Sequence, residues 1–275
     1  MLRVSREDVS NLPFPHIVKS EILPSDLFNK LKEEFPTSDI FDGQYTKTGS
    51  LGSRVGAGTG FDIYRGDAAY DELIHRSKAW TAFDGYINSP AFIESFLEMF
   101  GDDLAALGCS VAVDPQAYDP QEVEARHVLR SKPTFASRLG TFLPKRKPAG
   151  RGAPKLFTRL DIERSFVGYS KPPHCDRENR LCSLIIYFTD TDAEGIVGGE
   201  LNVYRHKSKS VPSDHERHPL PEDVEVVASV KPKPNLGIFF PCSNNSYHGV
   251  NAVQSQGKAR DFLYINISTV SSSCW

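Results

Sequence analysis

Three stretches carry side chains able to meet at one metal: His174-Cys175-Asp176, Ser246-Tyr247-His248, and Arg260 twelve residues beyond that last histidine. Two imidazoles and one carboxylate on one face of a metal, with the other coordination positions open, suit a non-haem Fe(II) site that activates oxygen. The His-x-Asp spacing works on an extended strand. Alternate residues there point to the same side, so one strand end presents both ligands. Cys175 then points away and leaves the metal without a sulfur ligand. The metal set expected is His174, Asp176 and His248. In a chain with eight histidines a lone His-x-Asp is weak evidence, and its neighbours must strengthen it.

The elements that would hold this set begin at Leu156. Leu156, Thr158, Leu160 and Ile162 alternate with Phe157, Arg159, Asp161 and Glu163, a period of two. Further strand-like runs at 181–188, 199–205, 224–230, 236–240 and 260–268 are parted by Gly, Pro, Asn and Asp turns. Many short strands after a helical opening predict an α+β fold with a mainly β core. The architecture expected is a double-stranded β-helix, a cupin-like jelly roll with N-terminal helices on one flank. Its mouth can gather ligands from strands far apart in sequence. Parity extends the reading: if Tyr187 faces inward, so do Ser183 and Ile185, while Leu184, Ile186 and Phe188 face the supporting layer. Arg260 likewise shares a face with Phe262, Tyr264 and Asn266.

In order, spacing and residue type these segments resemble the 2-oxoglutarate/Fe(II)-dependent dioxygenase superfamily, in particular its prolyl-hydroxylase-like branch. The likeness is carried by Tyr169-Ser-Lys-Pro-Pro-His174-Cys-Asp176, Leu181-Cys-Ser-Leu-Ile-Ile-Tyr187-Phe and Gly198-Gly-Glu-Leu201. Asn235-Leu-Gly-Ile-Phe-Phe-Pro241, His248-Gly-Val-Asn-Ala-Val and Arg260-Asp-Phe-Leu-Tyr-Ile-Asn-Ile267 complete it, over about residues 155 to 270. Pro13-Phe-Pro-His-Ile-Val and Leu23-Pro-Ser-Asp-Leu-Phe are weakly similar to N-terminal segments of that branch. Arg260 lies a little further from His248 than is usual, and Gln254-Ser-Gln-Gly257 reads as a longer turn.

The resemblance implies Fe(II) as the metal, 2-oxoglutarate as cosubstrate and O2 as oxidant, with hydroxylation of an unactivated C–H bond as the outcome. It also implies that Arg260 holds the distal carboxylate of 2-oxoglutarate and that Tyr187 hydrogen-bonds the same group. Arginine suits that task because its planar fork meets a carboxylate bidentately and keeps its charge. The plainer readings are an ion pair between Arg260 and Asp261, and a core tyrosine at 187. Further pocket candidates are Tyr169, Ser183, Asn245, Tyr247, Tyr264 and Asn266, with no catalytic residue expected beyond the metal ligands. The substrate expected is a small molecule or metabolite. The alternatives are a peptidyl or protein hydroxylase of the same superfamily, or a cupin-type metal protein that does not use 2-oxoglutarate.

Composition bounds the rest. The chain has 275 residues, 39% of them hydrophobic, and a net charge of −3, which argues against a general nucleic-acid binder. No run of eighteen apolar residues suggests a membrane span. The opening Met-Leu-Arg-Val-Ser-Arg-Glu-Asp lacks a signal-peptide core, and five cysteines without Cys-x-x-Cys point to reduced thiols in a cytoplasmic protein. One domain, 1–275, is expected: a helical N-terminal region over 1–155, ending in a basic loop 126–155, and a catalytic β core over 156–270. A helix should open at Pro24-Ser25-Asp26 and stop at Pro36. Another should run from Ser89 as N-cap to Gly101 and lay Phe92, Ile93, Phe96, Leu97 and Phe100 on the outside of the β core. Residues 42–67, rich in Gly, Ser and Thr, read as a loop.

Between Thr81 and Ala125 stand nine acids and no Lys or Arg, whereas Arg126 to Lys155 holds nine basic residues and no acid. One reading is a basic lid over the mouth that selects an anionic substrate. The other is a solvated loop that balances the acidic stretch. His215 and His218 in Ser213-Asp-His-Glu-Arg-His218 suggest either a second metal or, on the polarity of the segment, a solvated loop.

Overall fold

In the computed structural model the described residues are 1–41, 60–120, 153–208, 215–270 and 273–275. The alternating segments form strands that pair antiparallel in two sheets. They are β1 (Ile17–Lys19), β2 (Gly60–Tyr64), β3 (Leu156–Ser165), β4 (Lys171–His174), β5 (Arg180–Tyr187), β6 (Leu201–His206), β7 (Val224–Val230), β8 (Gly237–Pro241), β9 (His248–Val250) and β10 (Arg260–Thr269). One sheet runs β1-β8-β5-β10-β3-β2 and the other β4-β9-β6-β7. From β3 to β10 the chain alternates between the sheets at every step except the paired β6 and β7, the double-stranded β-helix expected from the strand pattern.

Parity sorts the core into two layers. Leu184, Ile186, Phe188, Leu263, Ile265 and Ile267 pack outward with Leu160 and Ile162 in one apolar cluster under the helices. Ile185, Tyr187, Ile238, Phe240 and Phe262 pack inward against Leu201 and Val203 of the second sheet. The six-stranded sheet is therefore covered on both faces.

The helices α1 (Ser25–Glu33), α2 (Ala68–Arg76), α3 (Lys78–Ile87) and α4 (Pro90–Phe100) supply outer cover. In α4, Phe92, Phe96 and Phe100 stand 6.0, 6.1 and 5.3 Å from the Phe239 ring of β8. The apolar stripe is packing, as its position outside the core implies. The cap differs from expectation. Ser89 turns its hydroxyl back to donate to the Tyr86 carbonyl at 2.7 Å and makes no side-chain cap. Pro90 at the first position, with no N–H to satisfy, reduces the need for one. Ser77 does cap α3, accepting from the Trp80 amide at 3.1 Å.

Two strands arise where the sequence suggested helix or loop. β1 and β2 are the outer strands of the six-stranded sheet, contributed by the N-terminal region. Of the stretch read as a loop, 42–59 lies outside the described residues, and 60–64 is strand β2 against β3. Residues 126–152 of the basic segment also lie outside them. Its last residue, Lys155, pairs with Asp119 at 2.7 Å, one contact between the basic and acidic blocks. No helix of the described residues is long and apolar enough to cross a membrane. All five cysteines are free thiols.

Candidate active site

His174 closes β4 and His248 opens β9, and the two residues are partners in the β4–β9 ladder. That register sets their rings 4.4 Å apart. Asp176 follows just past the end of β4, with an oxygen 4.0 Å from Nε2 of His248. One ligand atom from each of the three lies within 4.8 Å of the others. Cys175, between His174 and Asp176, directs its sulfur to the Glu216 carbonyl at 3.5 Å, away from the cluster.

Both imidazoles are oriented from behind. Nδ1 of His174 is 2.9 Å from the Pro172 carbonyl, and Nδ1 of His248 is 3.0 Å from the Ser246 carbonyl. A carbonyl only accepts, so each Nδ1 carries the hydrogen and each Nε2 offers its lone pair. Burial, then the neighbouring His248 ring, pushes the His174 pKa down to about 3, which keeps it neutral and fit to ligate.

Asp176 is buried and anionic. Burial opposes its ionisation, but Arg180, the two histidines and Ser183 outweigh that and hold the carboxyl well below the usual carboxylate range. Arg180 donates to Oδ1 at 2.8 Å, Ser183 to Oδ2 at 2.7 Å, and the Cys242 thiol to Oδ2 at 3.3 Å. The Tyr264 hydroxyl reaches both oxygens at 3.3 and 3.4 Å and also accepts from Arg180. Such partners set a ligating carboxylate in one orientation.

Arg260, only 1% exposed, starts β10 on the inner face. Its Nε donates to Ser165 Oγ at 3.1 Å and its Nη1 to the Gly199 carbonyl. The guanidinium lies 5.0 Å from the Tyr169 ring, 5.7 Å from Tyr187 and 4.7 Å from Phe262. Among the described residues its partners include no carboxylate. Asp261 points to the opposite face and pairs with Arg164 at 2.6 Å, so the plain ion pair considered for Arg260 is not formed. The carbonyl that Arg260 uses depends on the Gly198-Gly199 turn. Gly198 has φ of +83°, and a Cβ there would stand 1.9 Å from the Ala252 carbonyl oxygen, so only glycine fits.

A cavity of about 220 Å³ joins the cluster to Arg260. Of the candidates, Tyr169, Tyr187 and Tyr264 line it, together with His174, Asp176, His248 and Arg260. Ser183 is fully buried behind Asp176 and acts on that carboxylate. Asn245, Tyr247 and Asn266 do not line the cavity. Asn245 accepts from Ser243 at 2.7 Å, Tyr247 donates to the Glu216 carbonyl at 3.1 Å, and Asn266 accepts from Ser268 at 3.1 Å. His218 stands 6.1 Å from the His174 ring, and His215 is 2.8 Å from Asn244 Oδ1. The metal-site candidate among the described residues is the His174 cluster alone. A larger, shallower hollow of about 400 Å³ between Arg65, Tyr70, His75 and Asp84 holds none of these residues.

The remaining wall was not singled out from the sequence. Asp62 on β2 and Arg159, Asp161 and Glu163 on β3 all line the cavity, with Lys171 of β4. The alternation of β3 was legible, yet period two does not say which face turns inside. Arg180 was hidden differently. The register shifts between Ile267 and Ser268, opposite Cys182 and Arg180, so parity counted from Tyr187 fails there.

Residues 164–267 match the family model described as the 2OG-Fe(II) oxygenase superfamily. No curated protein matches the chain by sequence. Among solved structures, a Pseudomonas putida prolyl-4-hydroxylase is 14% identical, with 96% of this chain and 98% of that one covered and a TM-score of 0.47. A Trichoplax adhaerens prolyl hydroxylase in complex with a hypoxia-inducible-factor peptide is 10% identical over 92% of this chain and 83% of that one, with a TM-score of 0.45. A rice dioxygenase for auxin oxidation is 10% identical over 93% and 74%, also at 0.45. Likeness of this order transfers no substrate to the chain.

Proposed function

We propose that this chain, a member of the 2OG-Fe(II) oxygenase superfamily through its residues 164–267, hydroxylates an unactivated C–H bond of a small molecule. In this reading His174, Asp176 and His248 hold Fe(II), and Arg260 anchors the distal carboxylate of 2-oxoglutarate. The observation that carries it is the convergence of two Nε2 lone pairs and one anionic carboxylate, each fixed from behind by its own hydrogen bonds. That donor set fits a divalent iron that must keep coordination positions open.

Iron with its cosubstrate supplies the oxidising power: 2-oxoglutarate and O2 become succinate and CO2, and one oxygen atom enters the C–H bond of the substrate. The chain supplies the rest. Asp176 stays anionic because Arg180 and Ser183 hold its oxygens, so protons compete little with a metal for it. Arg260 is shielded by Tyr169, Tyr187 and Phe262, so a carboxylate beside it is desolvated and the charge-assisted pairing strengthens. In the same reading Tyr187, whose ring lies 5.7 Å from that guanidinium, donates its hydroxyl to the same carboxylate. A cavity of about 220 Å³ supports a compact substrate group over a long segment of chain.

Calorimetry on the Mn(II)-loaded protein tests this reading. The parent should bind 2-oxoglutarate, Arg260→Ala should lose that binding while keeping the metal, and Asp176→Ala should lose the metal. Parent protein that binds neither Mn(II) nor 2-oxoglutarate would refute the assignment. A cupin-type metal protein would instead bind the metal alone.

A further inference from the structure

On β3 the charged face, not the apolar one, is turned into the cavity. Leu160 and Ile162 pack outward beneath the helices, so Arg159, Asp161 and Glu163 must face inward. The sheet register extends this wall across β2, because Asp62 is the cross-strand partner of Glu163 and Tyr64 that of Asp161. In the same two rows, towards the sheet centre, stand Phe262 and Tyr187, then Tyr264 and Ile185. Within these two rows the charged residues therefore lie on β2 and β3.

The three carboxylates of this wall are not equally provided for. Arg159 donates to Asp161 at 2.7 Å and approaches Asp62 at 3.5 Å. Glu163 is 6% exposed, and its Oε2 is sealed from solvent with no hydrogen-bond partner among the described residues. Lys171, from the opposite sheet, also faces the cavity, but among the described residues no ion pair joins it to Glu163. A carboxylate taken out of water without a partner is costly, and a fold retains one where something else completes it.

We propose that the inner face of β2 and β3, with Asp62, Asp161 and Glu163, is the subsite for a cationic nitrogen of the substrate, an ammonium or a guanidinium group. This deepens the reading above and rests on it, since the same cavity must hold the cosubstrate at its Arg260 end. The register sets opposite charges in adjacent rows of the inner face, Arg260 opposite Ser165 and Glu163 opposite Phe262: an anion of the cosubstrate meets Arg260, and a cation of the substrate meets Glu163. Burial, with Asp161 and Asp62 beside it, pushes the Glu163 pKa up to about 8, against the partial relief of Lys171 and Arg159. An arriving cation supplies the missing counter-charge and returns this carboxyl to its ionised form. The basic segment 126–152 lies outside the described residues and does not enter the argument.

Binding of n-butylammonium, n-butylguanidinium and the neutral n-butanol to the Mn(II)- and 2-oxoglutarate-loaded protein, followed by ligand-observed NMR, tests the subsite. At least one cationic probe should bind about tenfold or more tighter than the alcohol. Glu163→Gln should bring that cation to the level of the alcohol, with metal and 2-oxoglutarate binding unchanged. Asp62→Asn should weaken the cation in the same direction, and serves if the Glu163 variant yields no folded protein. The subsite is overturned if the alcohol binds as well as either cation, if the variants keep the full preference, or if neither cation binds while 2-oxoglutarate does. Failure of the parent to bind Mn(II) and 2-oxoglutarate would instead bring down the oxygenase assignment, and this inference with it.

Discussion

Arg260 and Glu163 stand on the inner face of the same sheet, one at 1% and the other at 6% exposure, and the fold treats them differently. Arg260 is boxed by three rings, a hydroxyl and a carbonyl, all of which suit a guanidinium without cancelling its charge. Among the described residues Glu163 has one oxygen with no hydrogen-bond partner and two further acids in its neighbourhood. The arginine is thus prepared, whereas the glutamate is left under strain. A buried charge with tuned neighbours and no counter-ion fits a ligand that is always the same, as a cosubstrate is. A buried carboxyl that ionises only at a penalty fits a group that arrives only with the substrate.

The largest effect should come from the carboxylate of the His174 cluster. Asp176→Ala should abolish metal binding and reduce conversion of 2-oxoglutarate to succinate to background. Metal retained at near parental affinity would break the comparison at its root. Next, Arg260→Ala should weaken 2-oxoglutarate by about 2–5 kcal/mol, roughly 30-fold or more in Kd, and lysine should rescue poorly because it lacks the planar fork. Equal affinity in the Ala variant, measured on the Mn(II) form, would remove Arg260 from the site.

A smaller change is expected from Ser183→Ala. It deletes the 2.7 Å hydrogen bond to Asp176 without touching the cavity. Metal affinity should fall by about 10-fold or more while 2-oxoglutarate affinity at saturating metal holds. A variant whose only defect is a lower Tm would show that Ser183 serves the core and not the ligand.

The smallest effect isolates the penalty at Glu163. An unfolded glutamate loses its proton near 4.5, but the folded one keeps it until about 8. Between those values the folded state binds the extra proton, so stability falls as pH rises through that window. Glutamine carries no such burden. Glu163→Gln should therefore gain on the parent as pH rises from about 5 to about 8, by at least about 2 °C in Tm. The groups that set the window are Asp161 on the same strand, Asp62 on β2, Lys171 on β4 and Arg159. An unchanging difference in Tm would mean that Glu163 ionises normally.

Much of this molecule is written locally. The pairing of His174 with Asp176 was legible because a strand end with a period of two turns both to one side, whereas His248 joined them through the resemblance carried by the surrounding segments. α4 was legible because Pro90 and Gly101 mark its ends and its apolar stripe repeats at helical spacing. The inward set of Ile185, Tyr187, Phe262 and Tyr264 followed from the same alternation once one member on each strand was placed.

What needed the tertiary structure involves a choice between locally equal options. Gly60–Tyr64 carries little strand signal, and becomes β2 because β3 offers it a ladder from far along the chain. Arg180 escapes parity because a register shift turns it towards Asp176. β3 shows the limit most clearly. Its sequence determines that Arg159, Asp161 and Glu163 share one face, and usual experience turns such a face to water. Only the helices, by covering Leu160 and Ile162, decide that the charges go inside. Periodicity is a property of the backbone, but the side on which it is buried, and whether a charge there finds a partner, are settled by contacts between distant segments.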